Sequence, residues 1–290
     1  RDSLPLSKQA VEEVEERMMA PSNMLSMANG QPIMNMEKDM AMGIYFLTLM
    51  QGETEDPKHA FASVDEANSK YALGHVSLYE PVKFLLNGDM VTTTVGRIIF
   101  NSILPAGYGF VNKTLARKDV QSITADIFNR YGRDEAINAL DSMKDLGFKF
   151  AKQSGFSVSM EEFEFGADPM VNEKLAEFAQ REQALMNDFE EGLITREELQ
   201  RLQRDLWVAI YEEIAEDTWN LARKKSSNLT HLNDSGATPV SSWVKNISGV
   251  RGTVTDPQGN VVDLPLMNNY KSGLNNFESV SYTHLTLPTK

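Results

Sequence analysis

Apolar residues recur at helical spacing in two long segments of the second half of the chain. One stripe lies within residues 175–189 and the other within residues 199–214. The link at residues 191–194 contains a glycine, and Thr195 with Glu198 forms a capping-box pattern at the start of the second segment. Two amphipathic stripes joined by a short link predict an antiparallel helical hairpin whose stripes form a mutual core.

The first half of the chain mixes helical and strand patterns. Ser7 is placed to cap a first helix, and Ser63 with Glu66 forms a capping-box pattern before another. Residues 45–47 are typical of a buried strand. The Asn87-Gly88 dipeptide separates two apolar runs and predicts a tight hairpin turn.

Helical patterns dominate after residue 114. Thr114 is a candidate N-cap for the helix that follows it. Gly147 and Gly155 are predicted to be positions where the chain bends. We therefore predict an α+β fold, in which a mixed α/β region is followed by a mainly helical region that contains the long hairpin.

Composition excludes several functional classes. The chain has 290 residues, 41% of them hydrophobic and 24% charged, which is ordinary for a globular protein. It has no cysteine, so disulfides and thiolate zinc sites are excluded. The net charge of −13 argues against a free-standing nucleic-acid binder. The longest apolar stretch is too short to cross a bilayer, and the N-terminus lacks a secretory pattern, so we expect a cytoplasmic protein.

No self-sufficient catalytic motif is found in the sequence. The histidines do not form a zinc-binding HExxH pattern, and no phosphate-binding GxxxxGK loop occurs. His231 lies near Asp234, but such a pair is more often a surface hydrogen bond than an acid–base couple. We therefore predict neither a catalytic residue nor a metal ligand in this chain.

Short motifs do occur in a fixed order between Pro5 and Gly252. They are PLSKQA, MMAPSNMLSMANGQP, TTTVGRIIFNSILP, LGFKFAKQSGFSVS, EEGLITREEL, NDSGA and GVRG. In this order they resemble the middle of the largest (β′) subunit of bacterial-type multisubunit RNA polymerase. The resemblance implies an internal fragment of a nucleotidyltransferase subunit.

The resemblance also implies which cofactor and partners the intact enzyme has. In the family, an aspartate-rich NADFDGD loop holds the catalytic Mg²⁺ ions for two-metal transfer, and it lies a few residues before PLSKQA. The chain alone is therefore expected to be inactive. The implied partners are the α and β subunits, template DNA, RNA and nucleoside triphosphates.

The family pattern divides the chain into regions. The predicted regions are the end of the active-site domain (residues 4–29), a pore domain (30–155), a funnel domain with the helical hairpin (156–230) and a segment near the active centre that leads to the bridge helix (231–279). Residues 1–3 and 280–290 resemble translated transposon-adapter sequence and are predicted to be foreign tails.

The family motif DSGARG lies near the incoming nucleotide, and its arginine can approach the triphosphate. Here Asp234, Ser235 and Gly236 match the motif, but Thr238 occupies the arginine position. Losing a charge-assisted hydrogen bond costs roughly 1.5 to 3 kcal/mol. Lys245 or Arg251 is a candidate replacement, or the substrate is bound differently. The departure favours a bacteriophage-encoded polymerase as the source.

Two arginines, Arg251 and Arg97, each have two possible roles. In the family, the loop that matches Gly249-Val250-Arg251-Gly252 supports the bridge helix, and Arg251 is a substrate-proximal candidate that could instead only brace neighbouring carbonyls. Arg97 is a candidate pore-lining residue that could attract nucleotides. It could alternatively pair with a buried acid at a strand-to-helix corner, where Gly96 would permit tight packing.

The predicted hairpin has two possible uses. In the family, it lies at the rim of the secondary channel through which nucleotides are thought to enter, and transcript-cleavage factors dock there. The main hypothesis is therefore a channel-forming part of the polymerase. The alternative is a catalytically inactive acidic helical scaffold derived from a polymerase, whose hairpin recruits a partner.

Overall fold

The computed structural model describes residues 4–52, 57–225, 227–252 and 266–280. The chain divides into a first unit, Arg1–Phe156 with Asp234–Thr238, and a second unit, Ser157–Asn233 with Pro239–Lys290. The predicted foreign tails, apart from Val280, lie outside the described residues. Within the described ranges, no helix is long and apolar enough to cross a membrane.

The elements confirm an α+β fold with a mainly helical region. The helices are α1 (Lys8–Glu13), α2 (Asp39–Thr48), α3 (Val64–Ala72), α4 (Val95–Asn101), α5 (Arg117–Tyr131), α6 (Arg133–Ser154), α7 (Asp168–Glu190), α8 (Arg196–Lys225), α9 (Ser227–Asp234) and α10 (Val240–Ser248). The strands are β1 (Ala60–Phe61), β2 (Pro81–Leu86) and β3 (Asp89–Thr94).

The small sheet has the order β1-β2-β3. Strand β1 runs parallel to β2, and β2 runs antiparallel to β3 with Leu86 opposite Asp89. The turn between them is Asn87-Gly88, and both residues have positive φ, 52° and 99°. Such angles are required by the tight hairpin turn that the dipeptide predicts, so that prediction is confirmed.

Helix α2 is buried on nearly all sides and packs across α6. The predicted strand at residues 45–47 is wrong, because these residues belong to α2. A helix that is apolar all round carries no stripe, so its sequence cannot be told from a buried strand by periodicity. A Cβ on Gly43 would overlap the carbonyl oxygen of Gly147 in α6. The two helices can therefore meet only because both positions are glycine.

Gly147 does not bend the chain as predicted, since it lies inside α6. A Cβ there would lie 2.7 Å from the carbonyl oxygen of Met40, so the residue serves close packing. Gly155 does end α6, with a left-handed φ of 60°, and that part of the prediction is confirmed.

The second unit contains the predicted helical hairpin. Helices α7 and α8 pack together, with the rings of Phe178 and Trp207 4.9 Å apart in an edge-to-face arrangement. Thr195 caps α8 by accepting a hydrogen bond from the Glu198 N–H. The stripe of α7 is not buried throughout, because Met186 and Phe189 near the link are 43% and 37% exposed. The expectation of a continuous mutual core is therefore wrong for these two residues of α7.

Candidate functional site

The loop Asp234–Thr238 belongs to the first unit. Ser235 is buried, and its carbonyl oxygen accepts a hydrogen bond of 2.9 Å from the Arg117 N–H. Gly236 has φ of 71°, and a Cβ there would lie 3.2 Å from Cβ of Arg117. The loop is therefore held closely against the first residue of α5, while Thr238 stays partly exposed.

Arg97 is 6% exposed and lies in the first turn of α4. Its guanidinium donates from Nε to the Thr48 carbonyl (2.9 Å), from Nη1 to Asn112 Oδ1 (3.0 Å) and from Nη2 to Thr114 Oγ1 (3.2 Å). Burial lowers the pKa of Arg97 below its ordinary value. The expected pairing with a buried acid is wrong, since the acceptors are a carbonyl, an amide and a hydroxyl.

The strand-to-helix corner around Arg97 is as expected. Strand β3 ends at Thr94, whose side chain caps α4 by accepting from the Arg97 N–H. A Cβ on Gly96 would overlap the carbonyl oxygen of Leu47. Gly96 therefore permits the close approach of α4 to the end of α2, as predicted.

Residues 111–117, which we call the support segment, are fixed along their length. Asn101 donates to the Val111 carbonyl at 2.9 Å and accepts from the Val111 N–H at 2.7 Å. The Leu115 N–H donates to Thr48 Oγ1 at 2.9 Å. Arg97 donates to Asn112 and Thr114, and the Arg117 N–H donates to the Ser235 carbonyl. The support segment therefore connects the motif that contains Arg97 with the motif that contains Ser235.

Thr114 is not an N-cap, and this prediction is wrong. Helix α5 begins at Arg117, and the Ala116 N–H donates to the carboxylate of Asp119. The Thr114 hydroxyl is instead occupied by Arg97. Sequence reasoning missed Asn112, Thr114 and Arg117 as site residues, because each acts on a partner 15 or more positions away and leaves no local pattern.

Arg117 carries a charged side chain whose base lies beside this loop. Its Nη2 lies 2.6 Å from Glu37 Oε1, with the two side chains 39% and 55% exposed. A pair that is exposed to this degree is held loosely, because solvent screens the attraction.

Arg251 lies in the second unit, where it joins α8 to residues 266–270. Its N–H donates to the Asn268 carbonyl (3.0 Å), and its Nε donates to the Tyr270 hydroxyl (2.9 Å). The Tyr211 hydroxyl of α8 donates to the Arg251 carbonyl. Gly252 pairs with Leu266 through two backbone hydrogen bonds. These contacts make Arg251 a brace within the second unit.

Lys245, the other candidate replacement for the missing arginine, also lies in the second unit. Its ammonium lies 4.6 Å from the centre of the Tyr211 ring, a cation–π contact. The structure therefore assigns Thr238 to one unit and both candidate replacements to the other.

Glu278 is a site residue that sequence reasoning missed. It is 5% exposed, and its carboxylate accepts hydrogen bonds from Met267, Asn268 and Asn275. Burial acts to raise the pKa of Glu278, but the hydrogen bond from the Asn268 side chain and the backbone bonds outweigh it and lower the pKa. Asn275 Oδ1 accepts from the Glu278 N–H, so the pair forms a reciprocal capping box where a helix begins at residue 276. The Asn-x-x-Glu spacing was the signal that could have found it.

The described residues do not provide a place for the Mg²⁺ that the resemblance implies. No group of three His, Asp or Glu side chains lies close enough together within these ranges to hold a metal ion. Hard cations need several carboxylate oxygens at one point. No chemical step is therefore assigned to a metal held by this chain.

Comparison with known proteins connects these observations to one family. The family model described as RNA polymerase Rpb1, domain 3, matches residues 23–163. The chain is 31% identical over 288 residues to the DNA-directed RNA polymerase subunit β′ of Thermosipho africanus, covering 97% of this chain and 17% of that subunit. The corresponding subunits of Sulfurihydrogenibium sp. and Syntrophomonas wolfei are each 30% identical, over 93% and 97% of the chain.

The chain spans 17% to 25% of the length of these relatives, so it corresponds to one segment of a much longer subunit. Because the similarity covers nearly all of the chain and the same name recurs among its relatives, the chain belongs to the family of DNA-directed RNA polymerase β′ subunits.

Proposed function

We propose that this chain is part of the catalytic subunit of a DNA-directed RNA polymerase and forms part of the channel through which nucleoside triphosphates reach the transfer site. The observation that carries the proposal is the similarity to β′ subunits over 97% of the chain. The loop Asp234–Thr238 matches the family motif near the incoming nucleotide and rests on a network of buried hydrogen bonds. Such a support suits a loop that must hold a substrate in one position.

Arg97 has an indirect role in this proposal. Its guanidinium is buried and bonded to neutral acceptors, so it shapes the pore wall through the support segment and does not attract nucleotides by its charge. Arg251 braces residues 266–270, and the Asn275–Glu278 capping box starts the helix that would continue as the bridge helix.

The proposed partners are those of the intact enzyme. They are the α and β subunits, template DNA, RNA and nucleoside triphosphates, with Mg²⁺ held by the NADFDGD loop of the same subunit. The helical hairpin is the proposed docking site for transcript-cleavage factors. Support for this comes from three apolar residues at its end, Met186, Phe189 and Leu193, which are 43%, 37% and 69% exposed. Apolar side chains that together form an exposed patch suit an interaction surface.

The test uses the full-length subunit assembled with its α and β partners. We expect template-dependent incorporation of labelled nucleotides that requires Mg²⁺. A complex that assembles but incorporates nothing would favour the alternative, an inactive scaffold. A quick prior observation is the coding DNA upstream of Leu4, because an aspartate-rich NADFDGD-like loop there supports the enzyme and its absence supports the scaffold.

A further inference from the structure

The loop Asp234–Thr238 lacks the positive charge that its proposed role requires. A nucleoside triphosphate carries several negative charges, and developing charge on the leaving pyrophosphate is stabilised by nearby cationic donors. Thr238 offers a hydroxyl and no charge. A basic side chain from elsewhere would have to supply it, or the substrate would be held less tightly.

Arg117 lies against this loop. Its backbone N–H donates to the Ser235 carbonyl at 2.9 Å, and its Cβ lies 3.2 Å from the position that a Cβ on Gly236 would occupy. The base of the Arg117 side chain is therefore held against Gly236, which precedes Thr238 by two residues in the sequence. The side chain itself is 39% exposed, so its guanidinium is accessible to a ligand.

We propose that Arg117 supplies the positive charge for the triphosphate that Thr238 lacks. The proposal rests on the proposed function, since it names a residue of the same nucleotide site. Arginine suits the task because its planar fork of donors binds phosphate oxygens in pairs.

Glu37 is the carboxylate that Arg117 Nη2 contacts in this structure. The Arg117–Glu37 pair is 2.6 Å long but exposed, and exposed pairs contribute little free energy. A triphosphate offers more charge and more acceptor oxygens than one carboxylate. A triphosphate beside this loop would therefore compete with Glu37 for the guanidinium.

The two basic residues that the sequence offered for this role are engaged elsewhere. The Lys245 ammonium lies on the Tyr211 ring, and Arg251 Nε donates to the Tyr270 hydroxyl. Both contacts are internal to the second unit.

The experiment measures the KM for nucleoside triphosphates in the polymerase assembled with the full-length subunit. Arg117→Gln keeps the backbone bond to Ser235 and removes the charge. We expect it to raise KM about tenfold to a hundredfold, the size expected for one lost charge-assisted hydrogen bond. Adding Thr238→Arg to this variant is expected to restore KM to within about threefold of the original, because the family arginine would replace the lost charge.

The matched control is Arg130→Gln, which removes another exposed arginine–carboxylate pair of α5, 2.7 Å from Asp126. We expect its KM to be unchanged. An unchanged KM in Arg117→Gln would overturn the inference, and so would a rise that Thr238→Arg does not reverse, since Arg117 would then act only through the loop's position. Should Arg117→Gln fail to assemble, Glu37→Gln decides. Because the exposed pair is weak, freeing the guanidinium should lower KM only modestly, by up to about fivefold, and an unchanged or raised KM contradicts the inference.

The failure of this inference differs from the failure of the proposed function. An unsubstituted complex that incorporates no nucleotide would defeat the proposed function. Normal incorporation with a KM that is insensitive to Arg117 would defeat the inference alone.

Discussion

The first unit and the helical hairpin of the second unit are stabilised in different ways. In the first unit, helices approach until backbone touches backbone, as at Gly43 and Gly147, and a buried arginine bonds to neutral groups. The hairpin relies on ring packing between Phe178 and Trp207, and its ion pairs lie at its surface. The packing of the first unit therefore tolerates few changes in side-chain size or charge, whereas the surface of the hairpin tolerates many.

The ion pair Lys174–Glu213 shows this tolerance. Its atoms lie 2.6 Å apart between α7 and α8, on the outside of the hairpin. The hydrogen bond between them raises the pKa of Lys174 and lowers the pKa of Glu213. Because water competes for both groups, such a pair adds little to stability. The hairpin surface is therefore free to vary for other purposes, including partner binding.

The largest effect on stability is expected for Gly43→Ala. The added Cβ would overlap the Gly147 carbonyl oxygen, a backbone atom that cannot rotate away, so we expect a loss of about 3 kcal/mol. Hydrogen exchange of α2 and α6 in the full-length subunit would measure it. Gly109→Ala is the control, since no atom lies within 4 Å of the Cβ position there. Equal protection in the two variants would contradict the close-packing account.

Arg97→Met should have the next largest effect. It removes the donors for the Thr48 carbonyl, Asn112 and Thr114, and we expect a loss of about 2 kcal/mol. The measurement is amide exchange at Leu115 and Arg117, which should both become faster. Arg97→Lys retains the charge and should lose less. Unchanged exchange at Arg117 would show that the support segment does not depend on Arg97.

Glu278→Gln should cost less, about 1 kcal/mol, because the amide oxygen still accepts some of the bonds. The effect should depend on pH. The folded pKa lies below the ordinary value of 4.5, so the stabilisation is present above about pH 4.5 and is lost as pH falls through the folded pKa. After correction for the intrinsic pH dependence of amide exchange, the protection of Met267 and Asn268 should fall on acidification in the original chain and change less in the variant. Glu216→Gln, an exposed carboxylate of α8, is the control.

The smallest effect on stability is expected at the end of the hairpin. Leu193, beside Phe189 at this end, is 69% exposed, so Leu193→Ser should leave the fold almost unchanged. If the hairpin docks a transcript-cleavage factor, the same variant should lower factor-stimulated cleavage about tenfold without altering basal elongation, as expected for one apolar anchor. Equal loss of cleavage and elongation would remove the docking interpretation.

Local structure was predicted well from the sequence. Ser63 and Thr195 cap their helices, Asn87-Gly88 forms the hairpin turn, and Gly155 ends α6. Each of these features depends on residues within three or four positions, so the necessary information is adjacent in the sequence. The hairpin of α7 and α8 was predicted for the same reason, because its stripes repeat at helical spacing over many turns.

The candidate site was predicted only in part. The motifs that contain Arg97 and Ser235 were identified, but the support segment that connects them was not. Arg117 and Glu37 are 80 residues apart, and no periodic pattern relates them. The sequence could supply candidate residues for the site but not their partners.

The sequence by itself determined the helix caps, the turns, the hairpin and the family to which the chain belongs. Tertiary structure alone decided that residues 45–47 are helical, that Gly147 serves packing, and that Thr114 accepts from Arg97 and does not cap a helix. The physical reason is the range of the interactions. Caps and turns are satisfied by near neighbours, whereas burial on all sides and the hydrogen bonds of a buried arginine require groups that only the folded chain brings together.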